Sequence, residues 1–175
     1  DFGMVAGMVV AVAEANGRDD RMAAGAYFST AFFALLSVAV VASIVIFVTA
    51  IAQPWESLLP LPAGIPRSPV IMSFALVGIL ACLSLPLGLA SQAYAGYQKA
   101  YVATGFTAAG SILSLVILIV VIQFHGSIPV VFTAASGAGF ATALALLLYL
   151  NRRMPWLRPS PARVSRPALR RLLRT

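Results

Sequence analysis

The 175-residue sequence predicts an all-α protein, a polytopic bundle of membrane-spanning helices, on three observations. Hydrophobic residues make up 61% and charged residues 10%, against about 25% charged in a soluble domain, and mean hydropathy is +0.95. The charges are also segregated. Uncharged runs of 34 residues after Arg21, 31 after Arg67 and 52 after Lys99 hold 117 of the 175 positions. At roughly 20 apolar residues per crossing, they accommodate about four crossings. Clusters of turn formers separate the runs. Such a composition excludes a soluble globular enzyme.

The elements follow in order. The first apolar run, Phe2 to Ala13, is too short to cross and has no basic leader before it, so it does not read as a signal peptide. It reads as a partial helix over residues 1–16, and the chain is expected to open inside a membrane helix as a fragment of a longer protein. Asn16-Gly17 forms a C-cap pair, and Asp19 or Asp20 caps the next helix. That second helix runs from about 26 to 52 without a proline. Residues 53–69 hold five prolines around Trp55, which marks a loop outside the hydrocarbon. A third helix spans about 70–93, with Pro86 and Gly88 predicting a kink near Leu85–Leu89. Tyr94 to Tyr101 is an interfacial connection. The 52-residue run would be about 78 Å long as one helix and must break, most readily at His125-Gly126. This places helices over about 102–124 and 129–150. Residues 1–151 are the membrane bundle and 152–175 a basic tail.

That tail holds eight arginines and no acid, whereas the rest of the chain has four basic and five acidic residues. Beside a membrane helix such a run reads as a cytoplasmic anchor on anionic lipid rather than a nucleic-acid surface. The anchoring residues would be Arg152, Arg153, Arg170, Arg171 and Arg174. Leu169, Leu172 and Leu173 share the opposite face of a short amphipathic helix, expected to lie on the membrane. Loops 14–22, 94–101 and 152–175 fall on one side and carry eleven basic residues, against Arg67 on the other, so that side is expected to be cytoplasmic.

No catalytic motif is present. Cys82 and His125 are single residues in an apolar run and a turn, so neither a disulfide within the chain nor a metal site is expected, and no cofactor is implied. The chain reads as a non-enzyme. Acids within a membrane helix are candidates for function because burying them is costly; these are Asp1 and Glu14. Tyr94, Tyr97, Gln98 and Tyr101 follow helical spacing and would share one face. They form either an interfacial aromatic belt or the edge of a cavity in which phenols stack on sugar rings, with Gln92 and Gln98 as hydrogen-bond donors. In the last crossing Ala134, Ala138, Ala141, Thr142 and Ala145 make a smooth side suited to close helix packing.

Several stretches together resemble one family. Asp1–Arg21 (DFGMVAGMVVAVAEANGRDDR), Tyr27-Phe28-Ser29-Thr30-Ala31-Phe32-Phe33, the segment from Leu85-Pro86-Leu87-Gly88 to Gly96-Tyr97-Gln98-Lys99, and Arg152-Arg153-x-Pro155-Trp156-Leu157 are similar to the polysaccharide biosynthesis proteins. These are oligosaccharide flippases of the multidrug/oligosaccharidyl-lipid/polysaccharide superfamily. The resemblance covers most of the chain. It implies about half of a two-lobe transporter of 12–14 helices, from within helix two through helix six, followed by the cytoplasmic linker between lobes. It further implies the bacterial inner membrane, an undecaprenyl-linked glycan as substrate, alternating access, and membrane lipid and other polysaccharide assembly proteins as partners. Two alternatives stand beside it: a small-molecule or cation antiporter of the same fold leaning on Asp1, and a non-transporting scaffold of polysaccharide assembly.

Overall fold

A computed structural model describes residues 4–52, 67–124 and 126–172, and these form six α-helices. They are α1 (Met4–Gly17), α2 (Arg21–Ala52), α3 (Arg67–Gly96), α4 (Ala100–Gln123), α5 (Ile128–Arg153) and α6 (Arg166–Leu172), with 3-10 turns at Pro155–Leu157 and Pro161–Arg163. The expectations for Asp1, residues 53–66, His125, Leu173 and Arg174 lie outside the described residues.

Two turns of one design reverse the chain at the basic end. After α1, the amide of Asp20 bonds the Ala15 carbonyl and that of Asp19 the Asn16 carbonyl, with Asp19 at φ 51°. After α3, Lys99 bonds Tyr94 and Gln98 bonds Ala95 in the same way, with Gln98 at φ 58°. Both are Schellman closures with a left-handed C′ residue. The expected cap pair Asn16-Gly17 is therefore displaced: the left-handed residue is Asp19, a residue type whose short polar side chain tolerates that region. Asp20 then caps α2 as expected, its carboxylate accepting the Ala23 amide at 2.9 Å. That cap starts α2 at Arg21 rather than near residue 26, where hydropathy alone begins to rise.

α3 is the centre of the bundle. It packs against α2 and α5, with α1 and α4 completing the two flanks. It runs unbroken through Pro86 and reaches Gly96, three residues beyond the end predicted from hydropathy. Burial concentrates at the basic end, where Met8, Val12, Phe28, Leu89, Tyr94, Leu150, Leu157 and Leu172 are almost fully enclosed. Elsewhere large apolar side chains face outward, among them Ile44 (57% exposed), Ile51 (68%), Phe74 (67%) and Ile112 (65%). In water such surface would be a large unpaid hydrophobic cost; against lipid tails it costs nothing. Among the described residues, four helices are long and apolar enough to cross a bilayer, within α2, α3, α4 and α5. The chain is a helical multi-pass membrane protein.

The basic tail folds back on the bundle. Residues 154–172 form a strap across the ends of α1 and α2. Ser29 and Thr30, polar yet buried on α2, accept the amides of Ser160 (3.3 Å) and Ser165 (3.2 Å). Leu157 and Leu172 are closed off beneath the strap, worth about 1.5–3 kcal/mol each. The expected amphipathic helix exists as α6, but it turns Ala168 and Leu172 onto protein rather than lipid. The reason is room: α2 has 32 residues, about 48 Å, and so outruns a hydrocarbon core of about 30 Å and offers a free end for docking.

Candidate functional site

Two turns and the strap enclose a cleft of about 480 Å³ at the basic end. The α1–α2 turn contributes Asn16, Asp19, Asp20 and Arg21. Tyr94, Tyr97, Lys99 and Tyr101 come from the α3–α4 turn, and Tyr149, Arg153 and Trp156 from the end of α5 and the start of the strap. Four phenols and an indole thus face two carboxylates and three cations.

Most of these groups are held by one another. Trp156 Nε1 donates to the Tyr97 hydroxyl at 2.9 Å, and the Arg21 guanidinium lies 4.6 Å from the centre of the Trp156 ring. Arg153 sits over Tyr149 at 5.5 Å, and Tyr149 leans on Phe106 with ring centres 5.3 Å apart. Cation–π pairs of this kind fix both partners. Burial pushes the Tyr97 phenol above its ordinary value, against the opposing pull of the Trp156 hydrogen bond. Tyr97 is therefore a neutral hydroxyl at physiological pH, able to accept from Trp156 and donate elsewhere.

Tyr94 is different. It is 2% exposed and lines the cleft, and its hydroxyl has no hydrogen-bond partner among the described residues. Buried polar groups are nearly always paired; this oxygen is itself enclosed, so it is packed within the wall rather than presented to the cleft. Chemically, the cleft offers aromatic faces for flat apolar surfaces such as sugar rings, with hydroxyls and charges at their edges.

Of the residues expected at a cavity, Tyr94, Tyr97 and Tyr101 come together here, whereas Gln92, Gln98 and Glu14 do not line the cleft. The helical face predicted to carry Tyr94, Tyr97, Gln98 and Tyr101 is cut, because α3 ends at Gly96 and Gln98 turns left-handed and exposed. Glu14 is half-exposed and held by Arg171. Asp1 lies outside the described residues. Among the expected anchors, Arg153 belongs to the cleft and Arg171 to a contact with α1 and α2, while Arg152 and Arg170 remain exposed. Sequence reasoning missed Tyr149 and Trp156 as lining residues, though both are aromatics at the interfacial end of the last crossing, where such residues gather.

Since Gln98 serves the turn rather than the cleft, Gln98→Gly should relieve its left-handed strain. We expect stability to rise by about 1 kcal/mol, read as a higher melting temperature in detergent.

A second groove of about 580 Å³ runs between α3, α4 and α5 and is mainly apolar. Four of its five hydroxyls are turned inward on their own helices: Ser91 donates to Gly88, Thr107 to Ala103, Ser111 to Thr107 and Thr142 to Ala138. Among the described residues no cluster of three or more His, Cys, Asp or Glu is placed to hold a metal ion.

Fold and site together define a multi-pass helical membrane protein with an aromatic, charged cleft at its basic end. Comparison of the chain with protein-family models, with curated proteins and with solved structures gives no match.

Proposed function

We propose that the chain is the N-terminal lobe of a bacterial inner-membrane flippase that exports lipid-linked oligosaccharides, with the cleft as the entry point for the glycan headgroup. The convergence of four tyrosines and Trp156 on one cleft edged by charged side chains carries this reading. A sugar complements such a wall, with ring faces to stack on Tyr97, Tyr101, Tyr149 or Trp156 and hydroxyls to meet Asp19, Asp20, Lys99 or Arg153. The headgroup of such a substrate must leave water while its lipid tail stays in the bilayer. A polar cleft at the interfacial end of membrane helices meets both needs. The sequence resemblance supports the same substrate class, an undecaprenyl-linked glycan. The chain carries out no covalent chemistry in this reading. The cation-antiporter alternative leans on Asp1, which lies outside the described residues; the other acid within the helices, Glu14, is engaged by Arg171.

The cleft end faces the cytoplasm in this reading, because the loops around it carry the basic residues. Single cysteines replacing Gly17, Lys99 and Ser160 should react with an impermeant maleimide only from the cytoplasmic side, and one at Ser127 only from the other. Reversed labelling at any of the four would reject the orientation.

Transport is tested with the open reading frame that contains this chain, reconstituted into proteoliposomes with a fluorescent lipid-linked oligosaccharide. Transbilayer movement of the glycan, absent from empty liposomes, is expected. Movement no faster than in empty liposomes, alongside proton- or sodium-driven efflux of small cations, would replace the flippase reading with the antiporter.

A further inference from the structure

The strap does more than cover α1 and α2: its first turn supplies Trp156 to the cleft, and its last turn is pinned far along the chain. Arg171, in α6, donates to the Tyr27 hydroxyl of α2 at 2.7 Å and stands 5.4 Å over that ring. Its other guanidinium nitrogen bonds the Glu14 carboxylate of α1. Between these ends the strap is tied at regular intervals. Ser165 and Ser160 donate their amides to Thr30 and Ser29, and Arg163 donates to the Trp156 carbonyl at 2.6 Å. That carbonyl in turn lies against Gly25, where no Cβ intervenes. None of Glu14, Tyr27 and Arg171 lines the cleft, yet Ala15 and Asn16, the two residues after Glu14, do.

We infer that Glu14, Tyr27 and Arg171 form a positioning clamp that holds the strap in register and thereby places Trp156 as one wall of the cleft, so that the affinity of the cleft for its ligand is governed by residues that never touch it. The ligand part of this inference rests on the reading of the cleft as a glycan site. The clamp is exposed, with the Glu14 and Arg171 side chains at 43% and 47%, so its ion pair alone is weak. Its hold comes from one guanidinium serving two helices at once, through an ion pair, a hydrogen bond and a cation–π contact. The strap also contributes Leu157 and Leu172 to the buried core shared by α1, α2, α3 and α5, so releasing it uncovers those two side chains while the helix–helix contacts remain.

The test uses the full chain in lipid nanodiscs, with Trp55→Phe so that Trp156 is the only tryptophan of this sequence, and a short-chain polyprenyl-pyrophosphoryl trisaccharide as probe. Arg171→Met, which keeps the apolar stem, should shift Trp156 emission to the red and weaken probe binding by about fivefold or more. The milder Glu14→Gln should move both readouts in the same direction by less. Two rescues separate positioning from general damage. The charge exchange Glu14→Arg with Arg171→Glu should restore both readouts in part. A disulfide from Ser29→Cys with Ser160→Cys, in a Cys82→Ser background, should restore both in Arg171→Met by pinning the strap directly. Unchanged emission and affinity in both Arg171→Met and Glu14→Gln would overturn the clamp. A red shift reversed by the disulfide, with no binding of the probe to any variant or to the parent, would uphold the clamp and reject the glycan reading.

Discussion

Gly25→Val detaches the strap from the bundle. A Cβ at position 25 would lie within 3.0 Å of Arg163 Nη1 and closer still to the carbonyl oxygen of Trp156. Both contacts are with the strap, and the nearer is backbone, which cannot swing aside as a side-chain tip can. Displacing it breaks the amide bonds to Ser29 and Thr30, uncovers Leu157, and lifts Trp156 off Arg21 and Tyr97. Overpacking of this kind costs roughly 1–3 kcal/mol, which raises the population of the open strap by about fivefold to somewhat over a hundredfold. Limited trypsin digestion at the exposed Arg163 and Arg170 should accelerate accordingly, and the emission of Trp156 should shift to the red. The rest of the bundle should remain helical by circular dichroism. Digestion at the parental rate would show that the strap does not depend on this contact.

Gly110→Val should separate α4 from α5. A Cβ there would stand 2.5 Å from Thr142 Cγ2 and 2.9 Å from Thr142 Cβ. Thr142 cannot rotate away at its Cβ, and its hydroxyl is bonded to the Ala138 carbonyl. Its other attachments gather at the basic end, where Ala103 is buried and Phe106 packs against Tyr149. Its membrane-spanning surface gains nothing from lipid exclusion, so along the rest of its length it depends on close van der Waals contact at small residues. We expect a loss of about 2–3 kcal/mol and a lower melting temperature in detergent. Gly110→Ala should be milder, and Gly110→Ala with Thr142→Ala should recover part of the loss. An undiminished melting temperature for Gly110→Val would mean that α4 is held by other contacts.

The parts of the fold that lie along one helix were legible in the sequence. Uncharged runs marked the four long helices, and the breaks at 18–20, at 97–99 and after Gln123, and the basic tail, fell where glycines and charges interrupt them. Boundaries shifted where a hydrogen bond outweighs hydropathy: the Asp20 carboxylate starts α2 five residues before the apolar run suggests, and the Schellman closure at Asp19 lies beyond the expected Asn16-Gly17 cap. Tyr94, Tyr97 and Tyr101 were read as one face, and they do share the cleft, but through a turn rather than a continuous helix. What the sequence could not carry was long-range. Nothing local in Ser29 and Thr30 shows that they accept amides more than 130 residues away. Nothing local in Arg171 distinguishes it from Arg170, although one reaches Glu14 and Tyr27 and the other stays exposed. Eight arginines without acids look like a membrane anchor by charge alone, and only tertiary packing shows that the apolar face of the tail helix lies on protein rather than on lipid.

The claim at the centre of this account is that the cleft binds a glycan on its aromatic wall, where Tyr101, 73% exposed, offers the most accessible ring. Titration of the Trp55→Phe chain, and of the same chain with Tyr101→Ala, with the soluble polyprenyl-pyrophosphoryl trisaccharide tests it, with quenching of Trp156 as the signal. Tyr101 is largely exposed in the free protein, so the melting temperature should hold. Losing the stacking face should weaken binding by about 0.5–1.5 kcal/mol, roughly two- to twelvefold. Saturable quenching that weakens by that factor in Tyr101→Ala is the result predicted, and quenching that is equally strong in both proteins, or absent from both, would contradict it.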